Sequence, residues 1–410
     1  MRVPVILADF HLFIASLLYH DIRTPSYQFC VGASWRLAHG FVRMIRPDSS
    51  QWKGELVTAP SSTKTSPGNF FEDFRLGQTI QHATPRTVTV GDVALYDALF
   101  GSRFAVQSAD TFAKAIGYLR SPIDDLLLFH VVFGKTVPDI SLNAVANLGY
   151  ADCRFLKSVY PGATLRAASE IIGLKENSNR KTGIVYVRSR GFDESGDAVI
   201  DYVRWVMVRK RNEAAPAPAE KVPELPKSVS PAQLGAACPN IDTAAYDNVL
   251  AGCIHRFGDY KIGEKIDHVD GVTVEEAEHQ IATRLYQNTA RVHFNQFAES
   301  SGRFGRRLIY GGHAISLARA LSFNGLGNAF HVAAINGGRH VAPLFAGCTV
   351  FAWSEVLANA ELPGREDVGA LRLRTIATKD RPCADFPLTD DDDYDPAVIL
   401  DLDYWVLLPR

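Results

Sequence analysis

His293 and the glycine pair Gly311-Gly312 are the residues of this chain whose types and spacing suggest chemistry. An imidazole exchanges protons near neutral pH. His293 stands five residues after Asn288, inside the stretch from Leu285 to Leu321. Further along that stretch, Ile309-Tyr310 runs into Gly311-Gly312 and opens a helix-like run. A glycine-opened helix start presents bare N–H groups to an oxyanion. An acid–base group followed by such a start suits a carbonyl substrate whose oxygen gains charge during reaction.

The elements that must hold these residues form an internal repeat. Phe71-Glu72-Asp73-Phe74-Arg75-Leu76-Gly77 recurs as Phe257-Gly258-Asp259-Tyr260-Lys261-Ile262-Gly263, an offset of 186 residues. At that offset His82 meets His268, Ser102 meets Asn288, Gln107 meets His293 and Ile123 meets Ile309. Later, Asp201 to Val206 parallels Asp401 to Val406. Each copy carries an early helical stretch, Val90 to Phe100 and Val274 to Tyr286. A helix apolar on nearly all sides follows in each, Asp124 to Val137 and Gly312 to Phe323, which predicts burial. Strands rich in β-branched and aromatic residues come next. Ala198 to Val208 is the clearest, behind the turn Ser195-Gly196-Asp197, with Gly183 to Arg190 as its hairpin partner. Strands after one buried helix predict an α+β fold, an antiparallel sheet wrapped on a helix. The expected organisation is an extension over 1–66, a first copy over 67–212, a linker over 213–253 and a second copy over 254–410. The Pro- and Ala-rich linker predicts an extended, semi-rigid tether.

The chain has 410 residues, a net charge of −2 and 47% hydrophobic residues, which argues against a nucleic-acid or polyanion partner. Val3 to Tyr19 is apolar but interrupted by Asp9 and His11, and is shorter than the ~20 residues of a membrane helix. Residues 47–68 are polar and rich in Ser, Thr and Pro, the composition of a disordered segment. Residues 1 to about 60 are expected to derive from an over-extended start site, with a targeting segment as the alternative. The six cysteines form no CxxC pair, so they predict reduced thiols in a cytoplasmic protein and no metal site. The acidic run Thr389 to Pro396 lacks the alternation and glycine of a calcium loop and predicts a solvated hairpin.

Longer phrases carry a resemblance. NFFEDFRLGQTI, HATPRTVTVGDVALY, PIDDLLLFHVVFGKTVPDISLNAVANLGYA and IDYVRWVMVRKR are similar to the mesaconyl-CoA hydratase (β-methylmalyl-CoA dehydratase) family of MaoC-like proteins. The hydratase motif of that superfamily, Asp-x-Asn-Pro-Leu-His, falls on Asn288 to His293, with Asn288 in place of the Asp. Its Ile-Ala-His-Gly-Met falls on Ile309 to His313. The resemblance implies a double hotdog fold, an acyl-CoA substrate, and reversible dehydration of a β-hydroxyacyl thioester with no further cofactor. A homo-oligomer is left open.

Hydration of an enoyl thioester requires that a water be deprotonated, that a proton reach the α-carbon, and that the thioester oxygen be stabilised. The resemblance gives these tasks to the Asn288 and His293 positions and to Gly312. His293 is the acid/base candidate, and Gly312, with Gly311 beside it, the oxyanion donor. Asn288 cannot be a base, but it can hold the water or orient His293. Asp124 and Asp125 could supply a carboxylate, or could simply cap a helix. Arg291 holds the Pro position of the motif and suits a free acyl carboxylate, with Arg103 second. Arg303, Arg306 and Arg307 are candidates for the CoA phosphates. The first copy has Ser102 and Gln107 at the matched positions and is expected to be catalytically silent, shaping the acyl pocket. The residues alone reach a thioester hydratase for an acidic acyl group. A hydratase of another branched dicarboxylic acyl-CoA, a thioesterase and a non-catalytic acyl-CoA-binding protein remain as alternatives.

Overall fold

The computed structural model describes residues 64–389 and 393–410. The reading of the N-terminal extension therefore falls outside the described residues up to position 63, as does the middle of the acidic run. The first repeat comprises β1 (Thr79–Thr87), α1 (Val90–Phe100), the short α2 (Ala105–Ser108) and α3 (Asp110–Ala115), α4 (Asp125–Thr136), β2 (Ala144–Phe155), β3 (Thr164–Glu176), β4 (Thr182–Phe192) and β5 (Ala198–Arg209). The second comprises β6 (Lys265–Asp267), β7 (Val272–Thr273), α5 (Glu276–Leu285), α6 (Arg291–Phe294), α7 (Gln296–Glu299), α8 (Gly311–Leu321), the one-turn α9 (Phe323–Leu326), β8 (His331–His340), β9 (Thr349–Glu361), β10 (Val368–Lys379) and β11 (Val398–Pro409).

Local chemistry explains the boundaries. At the start of α1 the Thr89 hydroxyl accepts from the Asp92 N–H and the Asp92 carboxylate accepts from the Thr89 N–H, a reciprocal cap. The helix ends on Gly101 in the left-handed region, at φ +63°. Asp124 caps α4 by accepting from the Leu126 N–H at 2.8 Å. Every residue from Leu126 to Thr136 is buried, as expected of a helix that is apolar on nearly all sides, and the polar residues at its end find partners: Lys135 donates to the Thr84 carbonyl and Thr136 to the Phe133 carbonyl. β4 alternates buried and half-buried positions, the period of a sheet with one covered face.

The strands form one antiparallel sheet in the order β1-β3-β4-β5-β2-β8-β11-β10-β9-β6, with β7 on β9. The two halves mirror each other about the central pair β2–β8, where Tyr150 faces Gly338 and Cys153 faces Ile335. α4 lies against β1, β3 and β4, and α8 against β9, β10 and β11. One apolar core includes residues of both helices. The repeat extends to buried polar groups. His82 bonds Ser169 Oγ and Asp139 through its two ring nitrogens, and His268 bonds Ser354 Oγ and the Asn324 carbonyl in the same way. Each imidazole ties a strand of the sheet to the segment that follows the buried helix.

The linker is more than a tether. Lys221 makes an isolated bridge to Leu174 of β3. Beyond it Val229, Leu234, Cys238, Ile241 and Tyr246 are buried in a second apolar cluster with Phe112, Ile116 and residues of β10 and β11. The proline-rich composition accounts for the extended first part. The apolar residues that follow gain more from burial than from solvent, at roughly 25 cal/mol per Å².

α4 also meets the second repeat directly. A Cβ on Gly134 would fall inside the Tyr286 carbonyl, and would lie 3.3 Å from the Asn288 nitrogen. Only a residue without a side chain lets α4 come this close to the loop that leads to His293. Gly134→Ala is therefore expected to destabilise the fold by about 1–3 kcal/mol, since the obstacle is backbone. Gly258→Ala, where nothing lies within 4 Å of the new atom, should stay within about 0.5 kcal/mol of the parent. Denaturant unfolding of both variants checks the contrast.

Candidate active site

The Asn288 side chain shapes the turn into α6. It is buried, and its Oδ1 accepts from the Ala290 N–H at 3.0 Å. Leu308 N–H then bonds the Val292 carbonyl, which closes the loop around α6. His293 projects from this turn and is half-buried. Its Nδ1 lies 2.9 Å from the Leu308 carbonyl. A carbonyl can only accept, so Nδ1 carries the proton and Nε2 keeps the basic lone pair. Burial pushes the His293 pKa down to about 4, and the Leu308 carbonyl offsets part of that. The imidazole is therefore neutral at pH 7 and ready to accept a proton.

The ring stands 5.4 Å from the Tyr310 ring, centroid to centroid. Tyr310 is the residue before α8, and its N–H donates to His279 Nε2 at 2.8 Å. The His313 N–H bonds the Tyr310 carbonyl at 2.8 Å. The first helical N–H groups have no intrahelical partner, which leaves those of Gly311 and Gly312 for an anion. Side chains are excluded at both positions. A Cβ on Gly311 would enter the His340 ring, and one on Gly312 the rings of Tyr310 and His130. The structure thus brings His293, Gly311 and Gly312 together around Tyr310. His313 lies on α8, buried against Phe100 and His279, as a packing residue.

Other residues lie elsewhere. Asp125 sits at the start of α4, where its Oδ2 takes His331 Nδ1 (2.9 Å) and the Val332 N–H (2.8 Å). Together with Leu128 and Lys157 of the first repeat and Ala237 of the linker, this pair lines a small cavity where the first repeat, the linker and β8 meet. Asp124 caps the same helix. Among the described residues neither aspartate bonds or pairs with His293. Arg103 is exposed and lies over the Phe323 ring at 4.5 Å. Phe323 follows the far end of α8, and α8 has 11 residues, so Arg103 stands about 15 Å along the helix from Gly312. Arg291 is exposed on α6, and among the described residues it makes no ion pair. Arg307 is committed to Glu276 and Gln280 of α5, whereas Arg303 and Arg306 are exposed and lie over the Phe304 and Phe345 rings. Gln107, the counterpart of His293, is buried and donates to the Phe330 carbonyl at 2.8 Å.

Several residues of the site come from segments that local patterns did not single out. His130 of α4 bonds Ser316 Oγ of α8 at 3.0 Å. Tyr150 of β2 reaches His340 of β8 across the central strand pair, with 3.2 Å between its hydroxyl and Nε2. Burial and the neighbouring His293 push the His340 pKa down to about 4.

Comparison with known proteins decides the family. The model of the mesaconyl-CoA hydratase family matches residues 57–384. The chain belongs to the mesaconyl-CoA hydratase family. It is 63% identical over 350 residues to a β-methylmalyl-CoA dehydratase of Chloroflexus aurantiacus, covering 85% of this chain and 99% of that protein. It is 60% identical over 349 residues to a mesaconyl-CoA hydratase of Cereibacter sphaeroides, covering 85% of this chain and all of that one. A solved putative MaoC domain dehydratase of Chloroflexus aurantiacus superposes with a TM-score of 0.84 at 63% identity, over 85% of this chain and 99% of that one. A Mycobacterium tuberculosis protein described as a double hotdog superposes with a TM-score of 0.65 at 23% identity, over 84% of this chain and 99% of that one. The fold is thus the α+β double hotdog of the family. Among the described residues no helix is long and apolar enough to cross a membrane.

Two outcomes are expected from this geometry. His293→Ala should lower turnover at least ~10²-fold, the scale of an acid/base group, while Gln107→Ala stays close to the parent. Steady-state assays on both folded variants check the asymmetry between the repeats. The second outcome concerns acid. His293, His313, His340 and His268 have pKa values lowered to about 4, against about 6.5 in an unfolded chain. Between these values the unfolded state binds more protons, so stability falls as pH falls through that window. Melting temperature should drop from pH 6.5 toward 4.5, and kcat/KM should keep its neutral-base activity well below pH 6.5.

Proposed function

We propose that this chain reversibly dehydrates β-methylmalyl-CoA to mesaconyl-CoA, as a hydro-lyase. The observation that carries the chemistry is the neutral imidazole of His293, its Nδ1–H fixed on the Leu308 carbonyl, beside the free N–H groups of Gly311 and Gly312. The near-complete match to relatives named for these two compounds supports the substrate.

In the hydration direction His293 Nε2 takes a proton from water as the water oxygen bonds to the β-carbon, which carries the free carboxylate. The double-bond electrons move toward the thioester, whose oxygen takes up charge opposite the α8 N–H groups. One such donor is worth roughly 3–4 kcal/mol in a dry site. The imidazolium then returns its proton to the α-carbon, which carries the methyl group. The hydroxyl of the added water then sits on the β-carbon, its other hydrogen is accounted for by the proton delivered to the α-carbon, and His293 is again neutral. Asn288 acts through the turn it holds. No cofactor is needed beyond the CoA of the substrate, and the setting is cytoplasmic. Arg291, exposed two residues before His293, meets the acyl carboxylate at the mouth, and Arg303 and Arg306 are available to the CoA phosphates.

The direct test is to follow loss of the conjugated chromophore of mesaconyl-CoA and to identify the product. Release of free thiol would point to a thioesterase instead, and binding without turnover to a non-catalytic acyl-CoA-binding protein. For Arg291, the ratio of kcat/KM on mesaconyl-CoA to that on crotonyl-CoA should fall at least about fivefold in Arg291→Met, the ~1 kcal/mol of a solvent-exposed charge pair. A parallel loss on both substrates would remove Arg291 from carboxylate recognition.

A further inference from the structure

Asn288 leaves the site without the carboxylate that the superfamily motif carries, yet a second imidazole stands against the helix start. His340 ends β8 and is half-buried, as are Gly311 and His293, while the surrounding core is fully buried. Its ring is packed so closely on Gly311 that a Cβ there would clash with the ring atoms. The ring is tied through Nε2 to the Tyr150 hydroxyl at 3.2 Å and packs against the Tyr150 ring.

The direction of that hydrogen bond follows from what lies behind Tyr150. Arg204 faces Tyr150 across β5 and β2. It is fully buried, and among the described residues it has no carboxylate partner. Its guanidinium lies 4.2 Å over the Phe133 ring and donates to Thr136 Oγ1 at 2.8 Å. A buried cation beside a phenol favours electron density on the phenol oxygen and drives its proton outward. Tyr150 then donates to His340 Nε2, and the proton of His340 must sit on Nδ1. The second repeat has Tyr404 at the position of Arg204, bonded to Thr375 Oγ1 at 3.0 Å, so the buried cation belongs to the first repeat.

We propose that His340 is a side-chain member of the oxyanion site, its imidazole N–H donating to the thioester oxygen alongside the N–H groups of Gly311 and Gly312, with Tyr150 as its positioning residue. A neutral imidazole can polarise a carbonyl without surrendering its proton. Burial keeps His340 neutral, as it does His293. The proposal rests on the hydratase reading above. It adds a donor that the hydratase motif and the glycine start do not contain, contributed by the end of β8 and held by the first repeat.

The test uses the full chain and two readouts. His340→Ala should lower kcat about 10²-fold, the cost of removing one oxyanion donor, with KM within about threefold. His340→Gln, which keeps an N–H, should recover part of the loss. The second readout is the absorption band of mesaconyl-CoA bound to His293→Ala, which cannot turn it over. Donation to the thioester oxygen shifts that band to longer wavelength. Adding His340→Ala should abolish most of the shift while leaving the Kd nearly unchanged. Tyr150→Phe, which keeps the ring and its packing, should lose part of the shift and carries the test if His340→Ala fails to fold. A shift that survives both substitutions, or is absent from His293→Ala itself, overturns the proposal. Failure of the parent protein to hydrate mesaconyl-CoA would instead overturn the substrate reading.

Discussion

The site depends on a place where two backbones touch. α4 of the first repeat lies against the Tyr286–Asn288 loop with only the hydrogen of Gly134 between them. That contact fixes the loop, the loop carries α6, and α6 carries His293. Close packing of this kind transmits strain because protein interiors have little free volume. The same closeness brings His130 onto Gly312 and Ser316, so both buried helices enter one core. The first repeat lacks an acid/base group at Gln107, but it supplies walls that the second repeat does not have.

Desolvation governs the electrostatics of this junction. His130, His279, His293, His313 and His340 are all held neutral, because a charged ring among Tyr96, Tyr286 and Tyr310 would lose its hydration without gaining a counter-charge. Each neutral ring must divide its nitrogens into one donor and one acceptor. Fixed acceptors and donors then decide the assignment: the Leu308 carbonyl for His293, and the Tyr310 N–H for His279. The result is a set of oriented dipoles rather than a cluster of charges, and such dipoles need no reorganisation when charge develops on a substrate.

Much of the fold is legible in the sequence because it is written locally. α1 occurs over Val90–Phe100 and β5 over Ala198–Arg209, where cap, turn and periodicity signals agree. The repeat register brought His82 and His268 into matching places, and both make matching bonds. The start of α8 was also legible, through its glycines. What local patterns could not supply depends on pairing between distant segments. Tyr150 and His340 are 190 positions apart and meet only because β2 pairs with β8. Asp125 and Arg103 looked equally eligible, since a carboxylate at a helix start and a cation near a matched motif carry no information about which end of which helix they will face. The linker misled in another way. Its prolines announce extension, and the apolar residues after them, from Val229 to Tyr246, dock instead.

The pairing of β2 with β8 joins two unlike halves on one polypeptide, and this has a consequence for how such a site can change. In a symmetric pair of identical chains every substitution appears twice, so a residue needed at one site is imposed on the other. Covalent fusion keeps the halves together at high effective concentration whatever their individual affinity. Each half is then free to diverge. Arg204 can stand where its counterpart is Tyr404, and Gln107 where its counterpart is His293. Under the proposed mechanism, this asymmetry would let one half specialise in bond-making and the other in setting the electrical environment in which bonds are made, a division closed to a homodimer of either half.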